Sequence, residues 1–176
     1  MTTVSGTRID VLAREVPPPG SSIAVSARLS VTVEAPEGIV DLTGELRRLV
    51  ETSGVAEGTL HVYCGHTTCG LLVNERDPGL EADLGHLLER LVPHSAHHPY
   101  AHDKLRTPAE RLEHGGERDN GHSHARALLA THPELGIPVT AGELYLGRWQ
   151  AVMLAEFDGP RTRELLARVH TARPAV

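Results

Sequence analysis

Alternation of apolar and polar residues is clearest over residues 23–34. Ile23, Val25, Ala27, Leu29, Val31 and Val33 interleave there with Ala24, Ser26, Arg28, Ser30, Thr32 and Glu34. A period of two puts one set on each side of an extended chain, so this stretch reads as a strand, or two strands with a break, buried on one face. The period lengthens after Asp41. Leu42, Leu46, Leu49 and Val50 form a helical stripe, with Asp41 placed to cap it and Gly54 to stop it. Residues 59–66 return to period two, with Leu60, Val62, Cys64 and His66 on one side, and residues 71–75 are expected to pair with them. Asp77-Pro78 then supplies a cap and a first-turn proline for a helix to about residue 91, ended by Pro93. Its expected buried stripe is Leu80, Leu84, Leu87, Leu88 and Leu91, with Asp83 at the edge and His86 pointing away.

Residues 93–118 are polar and rich in histidine and turn formers. They read as mostly loop, with a short helix at 108–113, and a loop that long in a compact domain is usually functional or disordered. Asp119-Asn120-Gly121 opens a helix through about residue 131, stopped by Pro133. The last third reads as strands at 138–140, 144–146, 149–157 and 164–170, the final two joined as a hairpin by Asp158-Gly159-Pro160. Residues 8–15 have strand character, but the stiff run Pro17-Pro18-Pro19-Gly20 follows at once. Residues 1–21 are therefore expected to form an extension and residues 22–176 the domain. These elements make an α+β domain, a compact and largely antiparallel sheet or sandwich with two to three packed helices.

A chain of 176 residues, 40% hydrophobic and 23% charged, is long enough for one domain with a packed core. No apolar run approaches the roughly 18–20 residues of a membrane span, and residues 1–16 lack a basic stretch followed by an apolar one. A cytoplasmic protein with no membrane partner is the expectation. The net charge of −6 and an aromatic content of 3% speak against a nucleic-acid partner. Cys64 and Cys69 are too few for a disulfide framework or a four-thiolate zinc site. Five apart on a continuous strand they would face opposite ways, so both are expected to be plain reduced thiols. The phosphate-loop, dinucleotide-turn, nucleophile-elbow and His-Glu-x-x-His motifs are all missing from the sequence.

Histidine is the outlier, with twelve in the chain. His86, His94, His97, His98, His114 and His132 fall on exposed faces or in polar loops and are expected to be solvated. His66 ends the inward row Leu60, Val62, Cys64 at the rim of a core, a place that also suits a merely hydrogen-bonded histidine. His102 precedes Asp103, and His122-Ser123-His124 opens a helix. Side chains at i and i+2 on a helix point about 200° apart, so only one of His122 and His124 enters any given site. His66, His102 and His124 could supply neutral imidazoles to a metal, oriented by a carboxylate. Asp83 and Asp103 have plainer readings as a boundary residue and a loop charge. Arg161 and Arg163 could grip a phosphate or simply solvate a strand.

Seven motifs then stand in order. His66-Thr67-Thr68, Asn74-Glu75-x-Asp77-Pro78 and Asp83 come first, followed by Tyr100-x-His102-Asp103 and Asp119-Asn120-Gly121-x-x-His124. Gly142-x-Leu144-x-Leu146-Gly147-x-Trp149-Gln150 and Asp158-Gly159-Pro160-Arg161-x-Arg163 close the series. From about residue 23 to residue 170 the chain resembles the YjbQ family, also described as secondary thiamine-phosphate synthases. The resemblance implies a compact α+β fold assembled as a homotrimer, with a polar site near subunit boundaries. It implies that His66, His102 and His124, with Asp83 and Asp103 nearby, line that site and hold a divalent metal, Zn or Mg. Thr67, Thr68, Asn74, Glu75, Asn120, Arg161 and Arg163 would meet a small phosphorylated molecule. The family pattern has one recurring histidine at 119–125, matched by His124 and not by His122. Two departures are a longer span between Asp103 and Asp119, and Arg148 where a hydroxyl is common. The implied reaction joins a hydroxymethylpyrimidine diphosphate to a thiazole phosphate and releases pyrophosphate. Catalysis would place cations on the leaving group and hold the thiazole nitrogen in line. The alternatives are a non-catalytic trimer that binds a metal or anion, and a metal-assisted phosphate-ester hydrolase.

Overall fold

A computed structural model describes residues 2–3, 7–18, 21–105, 107–113 and 118–172, which leaves His114 outside the described residues. In chain order the elements begin with β1 (Thr2–Thr3), β2 (Arg8–Glu15), β3 (Ile23–Val33), β4 (Gly38–Asp41), α1 (Thr43–Ser53) and β5 (Gly58–Cys64). They continue with β6 (Cys69–Glu75), α2 (Pro78–Leu91), a 3-10 turn (His102–Lys104), α3 (Pro108–Glu113) and α4 (Gly121–Ala130). The chain closes with β7 (Glu134–Thr140), β8 (Glu143–Leu144), β9 (Gln150–Glu156) and β10 (Arg161–Thr171). The strands form a six-stranded sheet, ordered β2-β3-β10-β5-β7-β8, and a four-stranded sheet, ordered β1-β4-β9-β6. Among the described residues β1 and β4 pair in parallel and the other strand pairs are antiparallel. The α+β, largely antiparallel architecture is therefore the one observed.

The period-two stretch becomes the single long strand β3. Its inward residues Val25, Ala27 and Leu29 stand opposite Val169, Ala167 and Leu165 of β10. This inward face packs partly on the smaller sheet, through Val40, Leu71, Val152 and Leu154, and partly on α1, through Leu46, Leu49 and Val50. The far side of the smaller sheet carries Ile39, Met153, Ala155 and Phe157, which Leu88 of α2 and Ala127 of α4 cover. Strand β9 is thus apolar on both faces because it lies between two layers. Arg126, 2% exposed on α4, ties that helix to its surroundings. It donates to the Val92 carbonyl at 3.0 Å and pairs with Glu37 and Glu89 at 2.5 Å each.

Several local expectations need correction. Asp41 ends β4 rather than capping α1 directly; the N-cap position is Leu42, and Asp41 Oδ1 accepts from the Thr43 N–H at 2.8 Å. Strand β6 does not pair with β5. The chain crosses to the other sheet between them, where β6 lies against β9, and β5 sits between β10 and β7. Likewise β9 and β10 are not a hairpin, because residues 157–160 carry the chain from the smaller sheet to the larger one. The α2 stripe is narrower than its spacing implies: Leu88 is buried at 4% exposure, whereas Leu80, Leu87 and Leu91 are exposed. This helix lies over the β1 edge of the smaller sheet, so little of its apolar face meets the strands. Residues 8–15, expected to stand outside the fold, form an edge strand whose Ile9 and Val11 pair with Val31 and Leu29.

Candidate functional site

One rim of the sandwich collects the ends of strands from both sheets. The turn of residues 65–68 runs from β5 to β6, and residues 157–160 run from β9 to β10. Cys69 stands opposite Glu156 in one sheet, and Cys64 opposite Leu165 in the other. The N-terminus of α4 and the 3-10 turn at His102–Lys104 close over this rim.

The deepest part is a buried ion pair. Glu156 is fully buried, and Arg163 binds it through Nε at 2.5 Å and Nη2 at 2.8 Å. Arg163 Nη2 also donates to Thr68 Oγ1 at 2.7 Å, and the Asp158 N–H donates to Glu156 Oε1 at 2.7 Å. Burial opposes the charge on Arg163, but its bond and attraction to Glu156 outweigh that and raise its pKa. Arg163, expected to meet phosphate, is therefore engaged in neutralising a carboxylate that water cannot reach, and Thr68, expected to do the same, accepts from that guanidinium. Nearer the surface, Asp158 accepts from Arg161 Nη2 at 3.0 Å and Asn120 Nδ2 at 3.3 Å. Arg118 Nη2 donates to the Asp158 and Gly159 carbonyls, both at 3.0 Å. Both guanidinium groups remain substantially exposed.

Asp103 anchors the helical side of the rim. Its Oδ1 accepts the N–H groups of Asn120 at 3.0 Å and Gly121 at 2.8 Å, two of the donors that a helix N-terminus leaves open. Burial alone would raise its pKa; hydrogen bonds from Ser95, Gly121 and Asn120 instead hold the carboxyl below the usual range. Gly121 is required by this approach, since a Cβ there would lie 2.5 Å from Tyr100 Cβ. Asn120 is buried, and its Oδ1 has no hydrogen-bond partner among the described residues.

The histidines sort as the helix geometry demands. His124 faces His102, with ring centroids 4.5 Å apart, and is hydrogen-bonded to the Thr67 backbone. Desolvation and the His102 charge push its pKa down. His122 turns inward to Ser95 Oγ at 2.9 Å and stacks 4.0 Å from His94; burial drives its pKa down to about 4. His66 lies in the turn beyond β5, which ends at Cys64 and not at His66, and its Nε2 accepts the Glu164 N–H at 3.2 Å, so that lone pair is taken. Burial and the Arg163 charge lower its pKa. Among the described residues no group of three or more His, Cys, Asp or Glu side chains is gathered closely enough to hold a metal ion. His102 and His124 are two donors of the three or four that zinc takes from a protein.

Thr67 is exposed beside His66, and Arg161 reaches the rim. Asn74 and Glu75 do not reach it. They are exposed at the far end of β6, about 20 Å from Cys69 at strand rise. Asp83 is exposed on α2, the helix that lies over the β1 edge of the smaller sheet. Three further residues belong to the rim: Arg118, Glu156 and Asp158. For Asp158 a signal existed, in the Asp-Gly-Pro-Arg-x-Arg run; Arg118 and Glu156 had none.

A family model described as UPF0047 protein YjbQ-like matches residues 27–172. The chain belongs to the YjbQ family. A UPF0047 protein of Archaeoglobus fulgidus is 35% identical over 130 residues, which is 74% of this chain and 89% of that protein. UPF0047 protein YugU of Bacillus subtilis is 28% identical, over 77% of this chain and 91% of its own. Among solved structures, a conserved hypothetical protein from Thermus thermophilus superposes with a TM-score of 0.60 at 36% identity, covering 81% of this chain and 98% of its own. A YbjQ-like protein of unknown function from Sulfolobus solfataricus has a TM-score of 0.71 and covers 94% of this chain and 99% of its own. At 23% identity that likeness concerns the fold alone. No helix among the described residues of this YjbQ-family chain is long and apolar enough to cross a membrane.

Proposed function

We propose that this YjbQ-family chain binds a small phosphorylated molecule at the rim and acts as a thiamine-phosphate synthase-like transferase. The observation that carries this reading is the His102–His124 pair close enough to feel the charge of Asp158, the carboxylate that the exposed guanidinium groups of Arg118 and Arg161 bind. In the reaction the thiazole nitrogen attacks the methylene carbon of a pyrimidine-methyl diphosphate. A C–N bond forms, the C–O bond breaks, and pyrophosphate leaves with the bonding pair. Charge grows on the leaving oxygens, where arginine and imidazole N–H donors already in place lower the barrier. Asp103 holds the α4 N-terminus that carries His124, and is thus a positioning residue. The unpartnered Asn120 Oδ1 offers an acceptor to a ligand N–H. The described side chains of one chain do not make up a metal ligand set.

We further propose that the chain works as a homotrimer in which Asn74, Glu75 and Asp83 reach the rim of a neighbouring subunit. Their exposure away from their own rim supports this, as do the uncovered Leu87 and Leu91 on α2 and Leu128 and Leu129 on α4. Light scattering should give three times the chain mass.

The direct test incubates purified protein with the pyrimidine diphosphate and thiazole phosphate and follows both products by chromatography. Thiamine phosphate and pyrophosphate in equal amounts are expected, with Arg161→Ala and His124→Ala each lowering turnover by about 10²-fold or more. No product from the wild-type protein, with or without added Mg²⁺ or Zn²⁺, sinks the transferase reading. Pyrophosphate binding without turnover would favour a non-catalytic anion-binding protein, and release of inorganic phosphate a hydrolase.

A further inference from the structure

Cys64 ends β5 and Cys69 begins β6, so the two thiols belong to different sheets. The turn between them doubles the chain back, and their sulfurs meet at 3.4 Å within the core. Both are free, both are buried, and the sequence contains no other cysteine. A buried free cysteine is ordinarily a small hydrophobe. Two in contact, bracketing a turn that holds the rim together, are better placed than packing requires. Over the span of six residues from one sulfur to the other, several contacts tie the turn to its surroundings, among them the Phe157 N–H to the Thr68 carbonyl at 3.1 Å. His66 Nε2 takes the Glu164 N–H, the Thr67 backbone takes His124, and Thr68 Oγ1 takes Arg163.

We infer that Cys64 and Cys69 are a modification site, forming a reversible disulfide with a small two-electron oxidant of the hydroperoxide class. A disulfide requires sulfurs about 2.0 Å apart, so they must approach by roughly 1.4 Å, which side-chain rotation and a small shift of the turn supply. One thiolate attacks a peroxide oxygen, the O–O bond breaks, and a sulfenic acid and hydroxide form. The second sulfur then displaces hydroxide from the first, making the S–S bond. With protons counted, two thiols and one hydrogen peroxide give one disulfide and two waters. Burial means that hydrogen peroxide, and afterwards a small dithiol reductant, reach the sulfurs through local opening. Drawing the sulfurs together narrows the base of the turn, so oxidation alters how His66 and the Thr67 carbonyl are presented. None of this depends on the transferase reading.

The test treats native full-length protein with hydrogen peroxide, removes the excess with catalase, then denatures, alkylates and weighs the chain. Untreated protein should take up two alkyl groups. Treated protein should take up none, weigh about 2 Da less, migrate as a single chain without reductant, and regain both thiols with dithiothreitol. In Cys69→Ser the remaining thiol should stay alkylatable or gain oxygen, with no two-hydrogen loss. Imidazole signals of His66 and His124 should shift between the reduced and oxidised wild-type protein in nuclear magnetic resonance spectra. Thiols that remain alkylatable under conditions that fully oxidise free dithiothreitol would overturn the inference. So would oxygen adducts or chain-to-chain crosslinks in place of the internal bond. Unchanged His66 and His124 signals on oxidation would overturn the coupling to the rim.

Discussion

Arg163 and Glu156 show how far one side chain's job depends on partners the sequence does not put beside it. A carboxylate with no exposure is tolerated only while a guanidinium neutralises it, and breaking such a pair from one side leaves a buried charge. Arg163→Met is expected to cost about 3–5 kcal/mol in urea unfolding, and adding Glu156→Leu should recover most of it. His122 makes a second residue-scale case. Its pKa of about 4 in the folded chain lies below the ordinary value near 6.5, so the unfolded state binds the proton first. Stability is therefore intact above about pH 6.5 and falls as the pH drops toward 4, by at most roughly 3 kcal/mol from this group. His66 and His124, also lowered, act in the same direction. Urea titrations between pH 7.5 and about pH 4.5 should show this loss, reduced in His122→Asn. The opposite facing of His122 and His124 was legible, because helix geometry alone separates i from i+2. The engagement of Arg163 and Thr68 was not, since Glu156 comes from another strand in another sheet.

Among elements, period was a sound guide to strands and helices and a poor guide to their partners. The alternation at residues 23–33 and the stripe Leu42, Leu46, Leu49 and Val50 record burial directly, and both are observed. Neither β5–β6 nor β9–β10 pairs, because a short connection between strands can cross from one sheet to another as readily as it can turn back. Leucines repeated along α2 record apolarity but not what covers it. Leu88→Ala should cost about 2–5 kcal/mol in chemical denaturation, while Leu91→Ala, at 66% exposure, should stay within about 0.5 kcal/mol for the isolated chain. Where β6 meets the end of α4 there is no spare room, since a Cβ on Gly70 would sit 2.1 Å from Thr131 Oγ1. Gly70→Ala should lower the melting temperature by several degrees, with α4 amides exchanging faster than those of β3.

At the level of the whole molecule, residues 8–15 add an edge strand to the larger sheet although the family match begins at residue 27. Deleting residues 1–21 should leave the fold intact by circular dichroism and lower the melting temperature, because β3 loses its outer row of hydrogen bonds. The fold class was legible because a sandwich follows from elements such as β3 and α1 that bury one side. The rim was legible only in its individual residues, as nothing local says that ends of β5, β6, β9 and β10 converge. That convergence has a consequence for how the molecule tolerates change. Thr68 leads directly into β6 of the smaller sheet and Arg163 lies in β10 of the larger, so a slip of one layer over the other by a single residue, about 3.3 Å, would part them. The core side chains that set the angle between layers, Leu71, Leu154 and Leu165 among them, act as the mounting of an instrument whose working edge they never touch. Resizing them should be felt first as a detuned grip on ligand, well before the mounting itself gives way.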